Sequence, residues 1–157
     1  AEVSGIAAAA GCQLVASCDL AVASEQSSFM TPGVNIGLFC STPMVAVSRN
    51  ISRKKIMEML LTGEKLNADD AVQYGLINHS VPLEQLHDKT MQLAKLIASK
   101  PVSTVKIGKE AFYRQVEMPI NEAYNYTSEV MTANMMEIDA HEGISAFLDK
   151  RHPNWNE

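Results

Sequence analysis

The apolar pattern changes period near residue 43, and that change limits the chain to folds in which short strands come first and helices follow. Before residue 43, brief apolar runs separated by turn residues read as strands at Val3 to Gly5, Leu20 to Ala23 and Phe29 to Met30. Between the first two lies AAAAGCQLVAS, residues 7–17. Its Ala7, Ala10, Leu14 and Val15 fall on one helical face, which predicts a helix from Ala7 to Ser17. Alanine is the strongest helix former, and four alanines with a glycine also allow close backbone approach.

Beyond residue 43 the pattern is almost entirely helical. Thr42-Pro43 is a start signal, with Thr42 as capping residue followed by proline at the first helical position. Ser52 can cap RKKIMEMLLT, which Gly63 closes, and Asn67 can cap ADDAVQY, which Gly75 closes. LINHSV, residues 76–81, reads as a strand before Pro82. Three longer helices follow. The first carries Leu83, Leu86, Thr90, Leu93 and Ile97. The second opens at Pro101 with Val102, Val105 and Phe112. The third begins after Pro119 with a stripe of Ile120, Tyr124, Thr127, Met131, Asn134 and Ile138. A last helix is expected from Asp139-Ala140-His141-Glu142, a capping-box-like start, and ends before Pro153.

Strands followed by helices imply a mixed α/β or α+β domain. The helical part holds more apolar stripe than the strands can cover, so it is expected to bury against residues outside this chain or a neighbouring subunit. With 157 residues, 46% apolar and 20% charged, the chain can build a core. No apolar run approaches the roughly 18 residues that would cross a bilayer, and the net charge of -5 with scattered bases offers no nucleic-acid footprint. Cys12, Cys18 and Cys40 are odd in number and unevenly spaced, which suits reduced thiols better than disulfides or zinc. His79, His87, His141 and His152 are dispersed, so no metal site is expected. The nine methionines read as adaptable core or interface filling. The chain starts at Ala1, and its natural N-terminus is expected to lie upstream.

Three blocks resemble one known family. VSGIAAAAGCQLVASCDLAVASEQSSFMTPGVNIGL, LTGEKLNADDAVQYGLINHSVP and EGISAFLDKRHPNW stand in the order and spacing of the crotonase family, the enoyl-CoA hydratase/isomerases. The resemblance covers the whole chain and the later three fifths of a usual family domain. It therefore places the first strands, an early CoA-binding loop and one oxyanion donor upstream of Ala1. The fold it implies is an α/β spiral of ββα turns over residues 1–81, with an all-helical trimerisation region over residues 82–157.

The resemblance also implies a chemistry. Family members stabilise the enolate of an acyl-CoA thioester through two backbone N–H groups, one at a helix start where the dipole favours negative charge. That donor falls on Ala10. The two catalytic glutamates of family hydratases fall on Gln13 and Gly33. An amide cannot exchange a proton at neutral pH, and glycine has no side chain, so ordinary hydration is not expected. Asp19 and Glu25 match structural positions, and a catalytic thiol at Cys40 is the less favoured reading beside a small core residue. Gly11, Gly37, Phe39, Cys40 and Ser41 fall at substrate-binding positions. Phe147 and Lys150 match positions that contact CoA from a neighbouring subunit, where an aromatic ring and a cation suit a nucleotide and its phosphates. No cofactor is expected to be permanently bound, the coenzyme A thioester being substrate or ligand. The expected partner is a second copy, in a homotrimer or a dimer of trimers, with neither nucleic acid nor membrane. The expected location is the bacterial cytoplasm or the mitochondrial matrix. The alternatives are a non-catalytic acyl-CoA binder and an oligomeric scaffold.

Overall fold

A computed structural model describes residues 1–155 and divides into two compact units, Ala1–Leu93 and the part from Ala94 onward. In the first unit, strands β1 (Glu2–Val3), β2 (Ile6–Ala8), β3 (Val22–Ser24), β4 (Ser28–Met30), β5 (Leu66–Asn67) and β6 (His79–Val81) form two three-stranded sheets. One has the order β1-β3-β6 and is parallel throughout. In the other, β2 pairs parallel with β4, and β4 pairs antiparallel with β5. Helix α1 (Ala10–Ser17) is the crossover between β2 and β3, and a 3₁₀ turn (Pro32–Ile36) follows β4. Short α2 (Pro43–Val47), α3 (Arg53–Thr62) and α4 (Ala68–Tyr74) complete the layer.

The caps read from sequence for α3 and α4 are present. The Ser52 hydroxyl accepts from Lys55 N at 3.4 Å and the Asn67 side chain from Asp70 N at 2.7 Å. Gly63 and Gly75 close α3 and α4 at φ +67° and +84°, a left-handed conformation that other residues adopt only with strain. Thr42 differs from its expected role. It precedes Pro43, but its own backbone is helical and its side chain makes no cap bond.

The core lies in this first unit. Phe29 is fully buried and belongs to one core cluster with Cys12, Val15, Val47, Ile56, Leu60, Leu66 and Ile77. Phe29 pairs with Ala7 on one neighbouring strand and with Leu66 on the other.

Several boundaries differ from the sequence reading. Ala7 and Ala8 belong to β2, because the ladder to Phe29 and Met30 outweighs alanine's helical preference. The strand expected at Val3 to Gly5 is two short strands on different sheets, β1 and β2. The strand expected at Leu20 begins at Val22, and that expected at Leu76 begins at His79.

The second unit is helical: the end of α5 (Leu86–Ala98), then α6 (Val102–Gln115), α7 (Ile120–Met135) and α8 (Ile138–Leu148). Leu83 sits in a 3₁₀ turn ahead of α5 rather than in that helix. The stripe drawn from Ile120 to Ile138 spans a break, since α7 stops at Met135 and Ile138 opens α8. Glu137, not Asp139, is the residue preceding α8, and it makes no side-chain cap bond. Asp139 is instead buried and accepts a 2.8 Å hydrogen bond from the Ser103 hydroxyl. The hydrophobic residues buried in this unit are three alanines, Ala111, Ala123 and Ala146, whereas Ile120, Tyr124, Met136, Ile138, Phe147 and Leu148 are exposed.

Candidate functional site

The ends of two adjacent parallel strands create the site. Ala8 of β2 lies opposite Met30 of β4, and the chain leaves the sheet at the same edge from both. After Ala8 it turns into α1 through Ala9, whose N–H donates to the Met30 carbonyl at 2.9 Å and whose carbonyl accepts from Gln13 N at 3.0 Å. After Met30 it passes through Thr31 and Pro32 into the turn that carries Gly33. Parallel pairing thus brings Ala10 and Gly33 to one end of the sheet, where open α/β folds commonly place ligands.

Ala9 was not singled out by sequence. It holds φ +47° and ψ -111°, a conformation that L residues rarely adopt. Such strain costs of order 1–3 kcal/mol and concentrates at functional turns. Replacing Ala9 with glycine is therefore expected to raise stability by about 1 kcal/mol, after the extra unfolded-state freedom of glycine is subtracted. Urea unfolding checks this, and a loss of stability in Ala9→Gly would contradict it. A run of alanines carries no signal of this strain, because alanine reads as helix.

Ala10 is the first residue of α1 and is exposed. The first amides of a helix have no partner within it, and the residue before α1 offers no side-chain cap. No acidic residue occupies the first turn. The helix start therefore presents uncompensated N–H groups, which suits an anionic oxygen. Gln13 follows Ala10 by one turn and is half-buried. Gly11 lies between them in the same first turn.

Gly33 is enclosed by the segment that follows it. Leu38 N donates to the Gly33 carbonyl at 3.0 Å, and Gly33 N donates to Cys40 Sγ at 3.3 Å. A Cβ on Gly33 would lie 2.9 Å from both Leu38 O and Cys40 Sγ, closer than such atoms pack. The position expected to lack a carboxylate thus also lacks room for a side chain. Gly37 makes the reversal at φ +77°. Ile36, Leu38, Phe39 and Ser41 are exposed around it, while Cys40 is buried.

Cys12, in the first turn of α1, is fully buried and its thiol is pushed up to about 11. Burial is the main cause and nearby Cys40 adds to it, against a hydrogen bond from the Met30 backbone. A folded-state value above the unfolded one stabilises the protein below pH 9 and ceases to do so as pH rises through 11. Stability is expected to fall across pH 9–11 by up to about 1.4 kcal/mol per pH unit. Cys12→Ala should flatten that slope in urea titrations, and an unchanged slope would exclude Cys12 as its source.

Phe147 and Lys150 lie at the end of α8. Phe147 is 82% exposed, and Lys150 turns the chain at φ +56°. A strap folds back behind them. Arg151 grips Glu142 with two bonds of 2.6 and 2.9 Å, and Asn154 N donates to Glu142 at 2.7 Å. Arg151 first, then the Asn154 N–H, lower the Glu142 carboxyl to about 2. The Trp155 indole donates to Ser99 O at 3.1 Å, and its ring packs against Gly143, where a Cβ would sit 3.3 Å from it. Among the described residues no group of three or more His, Cys, Asp or Glu could hold a metal ion, and no helix is long and apolar enough to cross a membrane.

Known proteins share this chain's sequence and fold. The family model for enoyl-CoA hydratase/isomerase matches residues 1–157. Mouse and human mitochondrial enoyl-CoA hydratase domain-containing protein 3 are each 53% identical over 99% of this chain and 52% of their own lengths. The chain thus spans about half the length of these relatives. Among solved structures, an enoyl-CoA hydratase from Mycobacterium smegmatis superposes with a TM-score of 0.95 at 52% identity, covering 97% of this chain and 59% of that one. Human enoyl-CoA hydratase domain-containing protein 3 superposes with a TM-score of 0.93, also at 52% identity, covering 96% and 59%. Likeness at this level extends the expected crotonase-like α/β fold, with its helical C-terminal region, to this chain. The chain belongs to the enoyl-CoA hydratase/isomerase family.

Proposed function

We propose that the protein to which this chain belongs binds an acyl-CoA thioester and stabilises negative charge on its carbonyl oxygen through the Ala10 N–H. The uncapped, acid-free start of α1 carries this reading. Hydrogen bonds aimed at a developing oxyanion are among the largest single contributions to acyl-transfer and enolate chemistry. Around that donor, Gly11, Gly37, Phe39 and Ser41 line the thioester and acyl chain. Between Glu25 and Arg49 the one ionisable side chain is Cys40, so this wall offers apolar contact and no carboxylate.

Ordinary hydration is not part of the proposal, because it needs a positioned acid and base, and Gln13 and Gly33 supply neither. The full-length protein is expected to bind crotonyl-CoA in calorimetry while hydrating it far below the ~1–10³ s⁻¹ of typical enzymes. Turnover within about tenfold of that range would overturn the loss of hydration. No detectable binding of any acyl-CoA would overturn the reading as a whole, leaving an oligomeric scaffold.

We also infer self-association. The exposed apolar side chains of α7 and α8, beside a unit that buries only small apolar residues, fit a second copy of this chain. In that assembly Phe147 and Lys150 would reach the CoA nucleotide of a neighbour. Light scattering on the full-length protein tests it, and a strict monomer would count against it. The curated relatives named above are mitochondrial and the Mycobacterium smegmatis relative is bacterial, so the mitochondrial matrix and the bacterial cytoplasm are the compartments proposed.

A further inference from the structure

We propose that Cys40 is a positioning residue, whose sulfur anchors Gly33 and so holds residues 34–39 in place as a wall of the acyl-CoA site. The inference rests on that reading of the site. The segment leaves the 3₁₀ turn, reverses at Gly37 and returns, and Cys40 joins its two ends. On one side the Cys40 carbonyl accepts from Met44 N at 3.0 Å, tying the residue to the start of α2. On the other its Sγ accepts the Gly33 N–H at 3.3 Å.

The other bonds of the segment, Leu38 N to Gly33 O at 3.0 Å, Gly37 N to Val34 O at 3.3 Å and Ser41 N to Phe39 O at 2.7 Å, all join residues of the loop over residues 33–41. They shape the loop without fixing it to the core. Packing gives further support, since the 3₁₀ turn lies against α3, the Asn35 amide sitting only 2.7 Å from where a Cβ on Gly63 would be. The exposed Ile36, Leu38 and Phe39 are thus carried by a loop that the buried Cys40 sulfur fastens to the interior. The thiol also fills the volume that a side chain at position 33 would need. The same atom therefore positions the wall and excludes a carboxylate from it.

Amide hydrogen exchange in the full-length protein, compared with Cys40→Ala and Cys40→Ser, tests the idea. Loss of one net hydrogen bond is expected to speed exchange at Gly33 and Leu38 by about tenfold in Cys40→Ala. Leu60, in the middle of α3, should be unaffected. A serine hydroxyl accepts the same N–H, so Cys40→Ser should stay near wild type at Gly33 even though a buried hydroxyl stabilises the core no better than alanine.

Equal responses at all three amides, or indistinguishable serine and alanine variants, would overturn the proposal. Calorimetry with crotonyl-CoA forms the second arm. Affinity should fall about tenfold in Cys40→Ala and be retained in Cys40→Ser. Wild-type affinity in both variants would show that the anchor does not shape the site, and would overturn the proposal. If the wild type itself binds no crotonyl-CoA, the acyl-CoA reading fails and Cys40 positions no such wall. The exchange data then still report whether the sulfur anchors the loop.

Discussion

Phe29→Ala is expected to lower stability by about 3–5 kcal/mol, the usual range for emptying a fully buried aromatic site. Phe29 is the largest side chain with no exposed surface. It stands at the centre of a three-stranded sheet, between Ala7 and Leu66. Ala7 is too small to expand into the space, and Leu66 is held by the cap of the following helix through Asn67. Collapse around the cavity is thereby limited, which places the cost in the upper part of the range. Domains of this size are stable by only ~5–15 kcal/mol, so chemical denaturation of the full-length variant should show a large fraction of that lost. A change below about 1 kcal/mol would show that the site repacks and that Phe29 is not the keystone. The damage should reach the functional site, because the next residue, Met30, holds Ala9 through its carbonyl.

The second large effect concerns the proposed oxyanion donor. A main-chain N–H cannot be deleted by ordinary side-chain replacement, but Ala10 is the first residue of its helix. Proline is tolerated at that position because its missing N–H has no partner in the helix. A following proline favours extended backbone in the residue before it, and Ala9 at φ +47°, ψ -111° is not extended, so a urea midpoint near wild type is the condition on which the Ala10→Pro kinetics report loss of the donor. With whichever acyl-CoA the full-length protein converts, kcat/KM is expected to fall by about 10²–10³, the usual loss for one such donor. Ala10→Ser keeps the N–H and should stay near wild type. A spectroscopic check needs no turnover. A conjugated aryl-acryloyl-CoA should absorb at longer wavelength when its carbonyl is polarised in the wild type, and lose that shift in Ala10→Pro. An unchanged shift in a folded Ala10→Pro would remove Ala10 from the mechanism.

Local chemistry made some of this legible in the sequence and long-range pairing hid the rest. Ser52 with Gly63 and Asn67 with Gly75 mark helix ends by bonds made within a few residues, so residue identity was enough. The alanines at positions 7 and 8 follow no such rule, because their strand exists only through a partner about twenty residues away. Strand β5 has two residues, too few for any period to register. The continuous stripe from Ile120 to Ile138 concealed a break, since residues on either side of a tight turn can keep helical spacing. At the site, the expected lack of carboxylates rests on the resemblance, which places Gln13 and Gly33 where family hydratases carry glutamates. That Cys40 and the Leu38 carbonyl fill the space beside Gly33 could not be read, because it depends on how the loop returns upon itself. The strained Ala9 was hidden for the opposite reason, its residue type arguing for the wrong conformation.

The charge-free run from Gln26 to Ser48 makes this part of the molecule a silent witness to titration. Between pH 5 and 7 no carboxylate or imidazole within it changes its ionisation. This wall therefore adds no titrating charge to a ligand seated against it. Any bend in a binding-versus-pH curve over that range belongs to the bound molecule or to residues elsewhere in the protein. A neutral wall of this kind turns a simple titration into a means of locating a titrating acid elsewhere in the protein.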